Sequence, residues 1–176
     1  MGELKILFGP YYSVVLQISA SQLQIIAAQA EGTYPQECCG LLLGQISVGL
    51  CQVRQVWPMV NAWNDQIAAD LGMDCSHGKG DRYWIDPAEM LQAMRKARSR
   101  SQEIVGVYHS HPDHEAVPSE CDRQLAWPDY VYLIVSVNQG SAIAHNAWML
   151  DDHHTFQSVP LLIDTQTPEM NCLPLL

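Results

Sequence analysis

Two histidines, a serine and an aspartate lie close together in the stretch HSHPDHEAVPSECD, residues 109–122. His109 and His111 follow an apolar run, so on a strand both imidazoles point to the same face, with Cα atoms roughly 7 Å apart. One tetrahedral metal ion can reach both rings at that spacing. Pro112 ends the strand, because proline has no N–H to donate to a neighbouring strand. The histidine pair alone is a weak signal, and the residues that follow it decide its meaning.

Ser119 and Asp122 allow two interpretations. The spacing S-x-x-D is typical of a capping box, with Ser119 as the N-cap of a helix and Asp122 at its third position. Asp122 is also a candidate third metal ligand, because H-x-H-P followed closely by S-x-x-D is much rarer by chance than either motif alone. Two histidines and a carboxylate leave the fourth position of zinc to water, as in catalytic zinc sites. We therefore predict one Zn²⁺ per chain, with a bound water, held by His109, His111 and Asp122.

A catalytic zinc site also needs a base, and usually a hydrogen-bond donor for the developing oxyanion. Glu37 is the candidate base. It opens the apolar segment ECCGLLLG, where a charge is costly to bury unless it has a partner. The Ser119 hydroxyl is the candidate donor, in addition to its capping role.

The predicted helices and strands that position these residues indicate the α/β fold class. We expect an α+β mixed sheet flanked by helices, within a single domain at residues 1–163. A loop insertion near residues 64–82 and a C-terminal tail at 164–176 complete the predicted organisation. Residues 61–83 are predicted to be a long loop. The strands are predicted at 14–18, 37–46, 50–60, 103–109, 130–138, 142–150 and 156–163, and the helices at 19–30, 86–100 and 119–126.

Composition and charge exclude several classes of function. Nine basic and nineteen acidic residues give a net charge of -10, and there is no basic stripe, so nucleic acid is not expected as a partner. No apolar stretch is long enough to span a membrane, and Gly9-Pro10 interrupts the N-terminal apolar run, so no membrane association or secretory signal is expected. Six cysteines without a C-x-x-C pair favour a reducing, cytoplasmic compartment.

Glu37, the H-S-H-P segment and the S-E-C-D segment together resemble the JAMM motif of the MPN-plus (Mov34/PAD-1) metallopeptidases, and most of all the short stand-alone prokaryotic branch. The resemblance implies a cytidine-deaminase-like MPN/JAMM domain. It assigns zinc to His109, His111 and Asp122, the general base to Glu37, and stabilisation of the tetrahedral intermediate to Ser119.

The same resemblance implies a function. Members of the family cleave peptide or isopeptide bonds after the Gly-Gly tail of ubiquitin-like proteins, and prokaryotic members act on small sulfur-carrier proteins. We therefore predict a zinc-dependent peptidase or isopeptidase whose substrate is a ubiquitin-like or sulfur-carrier protein. A homodimer is one of the oligomeric states that the sequence leaves open. Two alternatives stay open: a non-catalytic MPN scaffold protein, and a zinc hydrolase of small amide substrates.

Overall fold

Eight strands and four helices make up the computed structural model, which describes residues 14–74 and 76–165. The strands are β1 (Val15–Ser19), β2 (Cys39–Ser47), β3 (Leu50–Met59), β4 (Glu103–Pro112), β5 (Val131–Asn138), β6 (Ser141–Leu150), β7 (Phe156–Val159) and β8 (Leu161–Asp164), and the helices are α1 (Ala20–Thr33), α2 (Asp65–Asp70), α3 (Pro87–Arg98) and α4 (Glu120–Leu125).

All eight of these strands belong to one mixed sheet, in the order β7-β6-β5-β4-β2-β3-β1-β8. Neighbouring residues of β2 point to opposite faces, as the two-residue period of a strand requires. Leu42 therefore packs in a cluster with Ile26 of α1, whereas Leu41 packs in a second cluster with Met90 and Ala93 of α3. Helices α1 and α3 thus cover opposite faces of the sheet. This arrangement confirms the predicted α/β class, a mixed sheet flanked by helices.

The prediction of one last strand at residues 156–163 was wrong, because the structure divides this segment at Pro160. β7 pairs with β6, whereas β8 pairs with β1, and these neighbours lie at opposite ends of the strand order. Pro160 cannot donate a hydrogen bond, and its carbonyl accepts one from Leu16 N–H at 2.9 Å. Since only one residue separates β7 from β8, the two edges of the sheet meet here and the sheet is strongly curved.

The segment predicted to be a long loop, residues 61–83, is more ordered than expected. It contains α2, whose N-cap Asn64 accepts a hydrogen bond from Ile67 N–H at 3.0 Å. Trp63 and Ala68 are fully buried, and the Trp63 indole N–H donates to the His77 carbonyl at 3.1 Å. A six-residue helix is too short to give a periodic signal, which explains why the sequence pattern missed it. Cys75 lies outside the described residues.

Helix and strand ends follow local chemistry closely. Ser19 caps α1 in a capping box with Gln22, and Asp86 caps α3 by accepting from two backbone N–H groups. β4 ends at Pro112, where the missing proline N–H was expected to end the strand, and so extends beyond the predicted range of 103–109. Within the part of the chain that the structure describes, no helix combines the length and the apolar character needed to cross a membrane. Residues 166–176 of the predicted tail lie outside the described residues, and Asp164 belongs to β8.

Candidate metal centre

Three predicted ligands meet at the end of β4. The Nε2 atoms of His109 and His111 are 3.0 Å apart, and they lie 3.2 Å and 3.4 Å from the Oδ1 and Oδ2 atoms of Asp122, respectively. Two zinc ligands at the usual bond length of 2.0–2.1 Å are separated by about 3.3 Å when the geometry is tetrahedral. The three side chains are buried, and one donor atom of each lies within 4.8 Å of the others. This triangle has the size and the donor types to hold one metal ion.

The capping box of α4 aims the Asp122 carboxylate. Its Oδ2 accepts hydrogen bonds from the Ser119 N–H at 2.6 Å and the Ser119 hydroxyl at 2.7 Å, while the Ser119 Oγ accepts from the Asp122 N–H at 3.1 Å. Oδ1 faces His109 instead. The two sequence interpretations of S-x-x-D therefore describe one arrangement, because the cap that starts the helix also holds a candidate ligand.

The two imidazoles have different surroundings. His111 Nδ1 lies 2.9 Å from the Glu115 carbonyl, an acceptor that favours a proton on Nδ1 and leaves the Nε2 lone pair free to bind a metal. His109 is fully buried, and its Nδ1 has no hydrogen-bonding partner among the described residues. Its ring stacks on Tyr83, with ring centroids 4.5 Å apart and planes inclined at 22°.

Electrostatics lower the pKa values of two of the candidate ligands, Asp122 and His109. Burial acts to raise the pKa of Asp122, but its electrostatic interaction with His109 and its hydrogen-bonding contacts with His111 and Ser119 outweigh burial and hold the pKa well below its usual range. Burial lowers the pKa of His109. A carboxylate and a neutral imidazole are the forms that bind metal ions.

Glu37 lies beside the triangle without belonging to it. Its side chain is only 5% exposed. Burial, followed by the negative charges of Asp122 and Asp81, raises its pKa well above the ordinary value, and Arg82 partly opposes the shift. The Glu37 N–H donates to the Lys79 carbonyl at 2.7 Å, so the backbone of the candidate base is anchored to the segment at residues 61–83. A carboxylate with a raised pKa has the basicity that a proton acceptor needs near neutral pH.

An apolar groove of about 410 Å³ has Asp122 in its lining. Residues 81–85 form one wall, and side chains of α3 and α4 form the others. Trp127 is 50% exposed and also lines the groove. Cys121 lines the groove as well, and burial raises its pKa to about 11, which keeps the thiol protonated.

A profile of the prokaryotic homologs of the JAB domain matches residues 19–151 of the chain. The chain belongs to this family. Among curated relatives of this JAB-domain chain, the desampylase of Haloferax volcanii is 36% identical over 124 residues, which cover 70% of this chain and 77% of the relative. The CysO-cysteine peptidase of Mycobacterium tuberculosis is 32% identical over 123 residues, which cover 69% and 73%. The resemblance stated from the motif is confirmed.

Solved structures support the same fold. A protein from Desulfitobacterium hafniense superposes with a TM-score of 0.71 at 23% identity, and the match covers 89% of this chain and 97% of that protein. Sequence reasoning placed the three candidate ligands, Glu37 and Ser119, but it missed Tyr83, which stacks on His109, and Asn61, which donates to the Glu37 carbonyl. Neither residue carries a signal in a single sequence, because their contacts join segments that are far apart along the chain.

Proposed function

We propose that this chain is a zinc-dependent peptidase that hydrolyses the bond after the C-terminal Gly-Gly tail of a ubiquitin-like or sulfur-carrier protein. The observation that carries the proposal is the buried His109–His111–Asp122 triangle, with the buried Glu37 beside it and an apolar groove leading to it. The two curated relatives, named a desampylase and a CysO-cysteine peptidase, support a hydrolase that acts on protein tails.

The donor set favours zinc. Two imidazole nitrogens and one carboxylate oxygen suit this ion, and three protein ligands leave one position open, as in catalytic zinc sites. Zinc in such a site lowers the pKa of water towards neutrality and polarises a carbonyl. We propose one ion per chain, held by His109, His111 and Asp122.

Glu37 acts as the general base in this proposal. The oxygen of the attacking water forms a bond to the carbonyl carbon, and the Glu37 carboxylate accepts the proton that the water loses. When the C–N bond breaks, Glu37 returns this proton to the departing amine. The raised pKa of the buried carboxyl suits both transfers, because a base works best when its pKa lies near the working pH.

Ser119 supplies the donor for the developing oxyanion. Its hydroxyl donates to Asp122 Oδ2 at 2.7 Å, and rotation about the Cβ–Oγ bond turns the hydroxyl hydrogen towards a substrate carbonyl while Oγ still accepts from the Asp122 N–H. The capping backbone contact does not depend on that rotation, because the Ser119 N–H still donates to Oδ2 at 2.6 Å. The carboxylate therefore stays oriented while the hydroxyl works.

The burial of the site favours a glycine tail. His109 is 0%, His111 7% and Asp122 8% exposed, so the scissile bond must enter a nearly closed space. Glycine has no Cβ, and a Gly-Gly segment lets the backbone approach where other residues clash. Apolar residues that precede the tail can pack in the adjoining groove.

We also propose a cytoplasmic setting, since Cys38, Cys39, Cys51 and Cys121 are free thiols.

The test is a cleavage assay on matched protein substrates. A sulfur-carrier protein is extended beyond its Gly-Gly tail by a short peptide, and a second version carries Ala-Ala instead. We expect the zinc-loaded chain to release the peptide from the first substrate, with a product mass that ends at the second glycine, and to spare the second. The His111→Ala variant is expected to release nothing.

Three outcomes would contradict the proposal. Binding of the carrier without cleavage would indicate a scaffold protein. Hydrolysis of small amides alone would indicate a different zinc hydrolase. Equal cleavage by His111→Ala would remove the triangle from the reaction.

A further inference from the structure

The two candidate imidazole ligands differ in what holds their rings. A metal-binding histidine normally donates its second ring N–H to a carbonyl or a carboxylate, and this bond fixes the ring orientation. His111 has such a partner in the Glu115 carbonyl, 2.9 Å from Nδ1. His109 is more deeply buried, yet its Nδ1 has no partner in the ranges 14–74 and 76–165. Something other than a hydrogen bond must orient the His109 ring.

Tyr83 occupies the face of that ring. The two rings are nearly parallel, with centroids 4.5 Å apart. The His111 ring also contacts the His109 ring, with centroids 4.9 Å apart and planes inclined at 55°. Tyr83 also packs against the core cluster that contains Leu41 and Met90. The tyrosine ring is thus supported by the core and has a fixed surface to offer the imidazole.

Asn61 holds the chain on both sides of Tyr83. Its amide nitrogen donates to the Arg82 carbonyl at 2.9 Å and to the Glu37 carbonyl at 3.0 Å. Its Oδ1 accepts from the Trp84 N–H at 3.2 Å and from the Trp63 N–H at 3.0 Å. One side chain therefore ties the neighbours of Tyr83 to the backbone of Glu37, and all four of its hydrogen-bonding positions are used.

We propose that Tyr83 is the positioning residue of His109. The flat ring stack replaces the missing hydrogen bond and keeps Nε2 of His109 directed at the metal. Asn61 holds the backbone on both sides of Tyr83 in a fixed position relative to the backbone of Glu37. Without the stack, the buried imidazole can turn about χ2, a rotation that exchanges the positions of Nε2 and a ring carbon. The proposal rests on the proposed function, because it requires a metal ion on His109.

Zinc affinity of the chelator-stripped, full-length protein tests this inference. Affinity is measured by competition with a chromophoric chelator for the wild type, Tyr83→Leu, Tyr83→Met and Tyr83→Phe, and a melting curve for each variant establishes that it is folded. We expect Tyr83→Leu and Tyr83→Met to bind zinc about 10–100-fold more weakly, the range for lost support of a metal ligand. Tyr83→Phe keeps the ring and is expected to bind zinc as the wild type does.

Phe156→Leu is the matched control. Phe156 packs against the same core cluster from β7 and makes its ring contact with Tyr132. This substitution is expected to lower the melting temperature and leave zinc affinity unchanged.

Four results would overturn the inference. Wild-type affinity in folded Tyr83→Leu and Tyr83→Met would show that the stack is not needed. An equal loss in Tyr83→Phe would assign the effect to the hydroxyl, and an equal loss in Phe156→Leu would assign it to general destabilisation. A wild-type protein that binds no zinc would overturn the proposed function and this inference with it.

Discussion

Glu37→Gln separates the base from the metal ligands. The amide keeps the shape of the carboxylate and one oxygen acceptor but cannot take a proton. Glu37 is not part of the donor triangle, so we expect zinc content to be unchanged. Loss of a general base lowers turnover by about 10²–10⁴-fold, which corresponds to roughly 2.7–5.4 kcal/mol of transition-state stabilisation.

The same substitution makes a prediction about stability and pH. Burial raises the pKa of Glu37 in the folded protein above its unfolded value, so between the two values the folded state binds more protons than the unfolded state. The contribution of Glu37 to the free energy of unfolding of the metal-free wild type therefore falls as pH rises through this window, by about 1.4 kcal/mol for each unit between the two pKa values. The amide that Glu37→Gln introduces does not titrate. The free energy of unfolding of the metal-free variant is therefore expected to increase relative to that of the metal-free wild type as pH rises from 4 to 7.

Melting curves and cleavage rates are measured on the same preparations, together with elemental zinc content. Glu103→Gln is the matched control, because Glu103 is exposed at the start of β4, and it is expected to keep wild-type turnover. Full turnover in Glu37→Gln would refute the assignment of the base. Loss of zinc would make Glu37 a ligand, and a stability difference that does not vary with pH would refute the reasoning from burial.

Two further predictions concern the cap and the sheet. Ser119→Ala removes an N-cap worth about 1 kcal/mol, so we expect the melting temperature to fall by about 2–4 °C. We expect zinc to be retained, because the backbone N–H of residue 119 still contacts Asp122, and turnover to fall on the order of 10²-fold. Full turnover would exclude the hydroxyl from the reaction. Gly106→Ala places a Cβ against the Val131 carbonyl oxygen, so β4 and β5 must separate and the melting temperature is expected to fall sharply. The control is Gly32→Ala, which has open space around the new Cβ in α1 and is expected to be neutral or stabilising. A tolerated Gly106→Ala would show that the two strands are less tightly paired than the register implies.

The features that could be predicted from the sequence are those set by local periodicity. His109 and His111 share a face because the strand period is two, and Asp122 follows from the cap at Ser119. The role of Glu37 as the base was predicted from its place at the start of an apolar segment and from the motif. The inferences about His109, His111 and Asp122 need only a few neighbouring residues, whereas the role of Glu37 also needs the resemblance to the family motif.

The features that the sequence did not predict depend on distant contacts. The Tyr83–His109 stack joins residues on different elements, and the Asn61 hydrogen bonds join three segments of the chain. The division at Pro160 is set by the pairing of β8 with β1 on the far edge of the sheet. No spacing rule along the chain encodes such contacts.

A zinc titration of the stripped protein tests the central claim most directly. Cleavage of the Gly-Gly-tailed carrier is measured as zinc is added in small steps to chain at a known concentration, for the wild type and for His111→Ala. We expect activity to rise linearly and to stop at one equivalent per chain in the wild type, and His111→Ala to stay inactive throughout. Activity in the fully stripped wild type, or a plateau that requires two equivalents, would contradict a single catalytic zinc held by His109, His111 and Asp122.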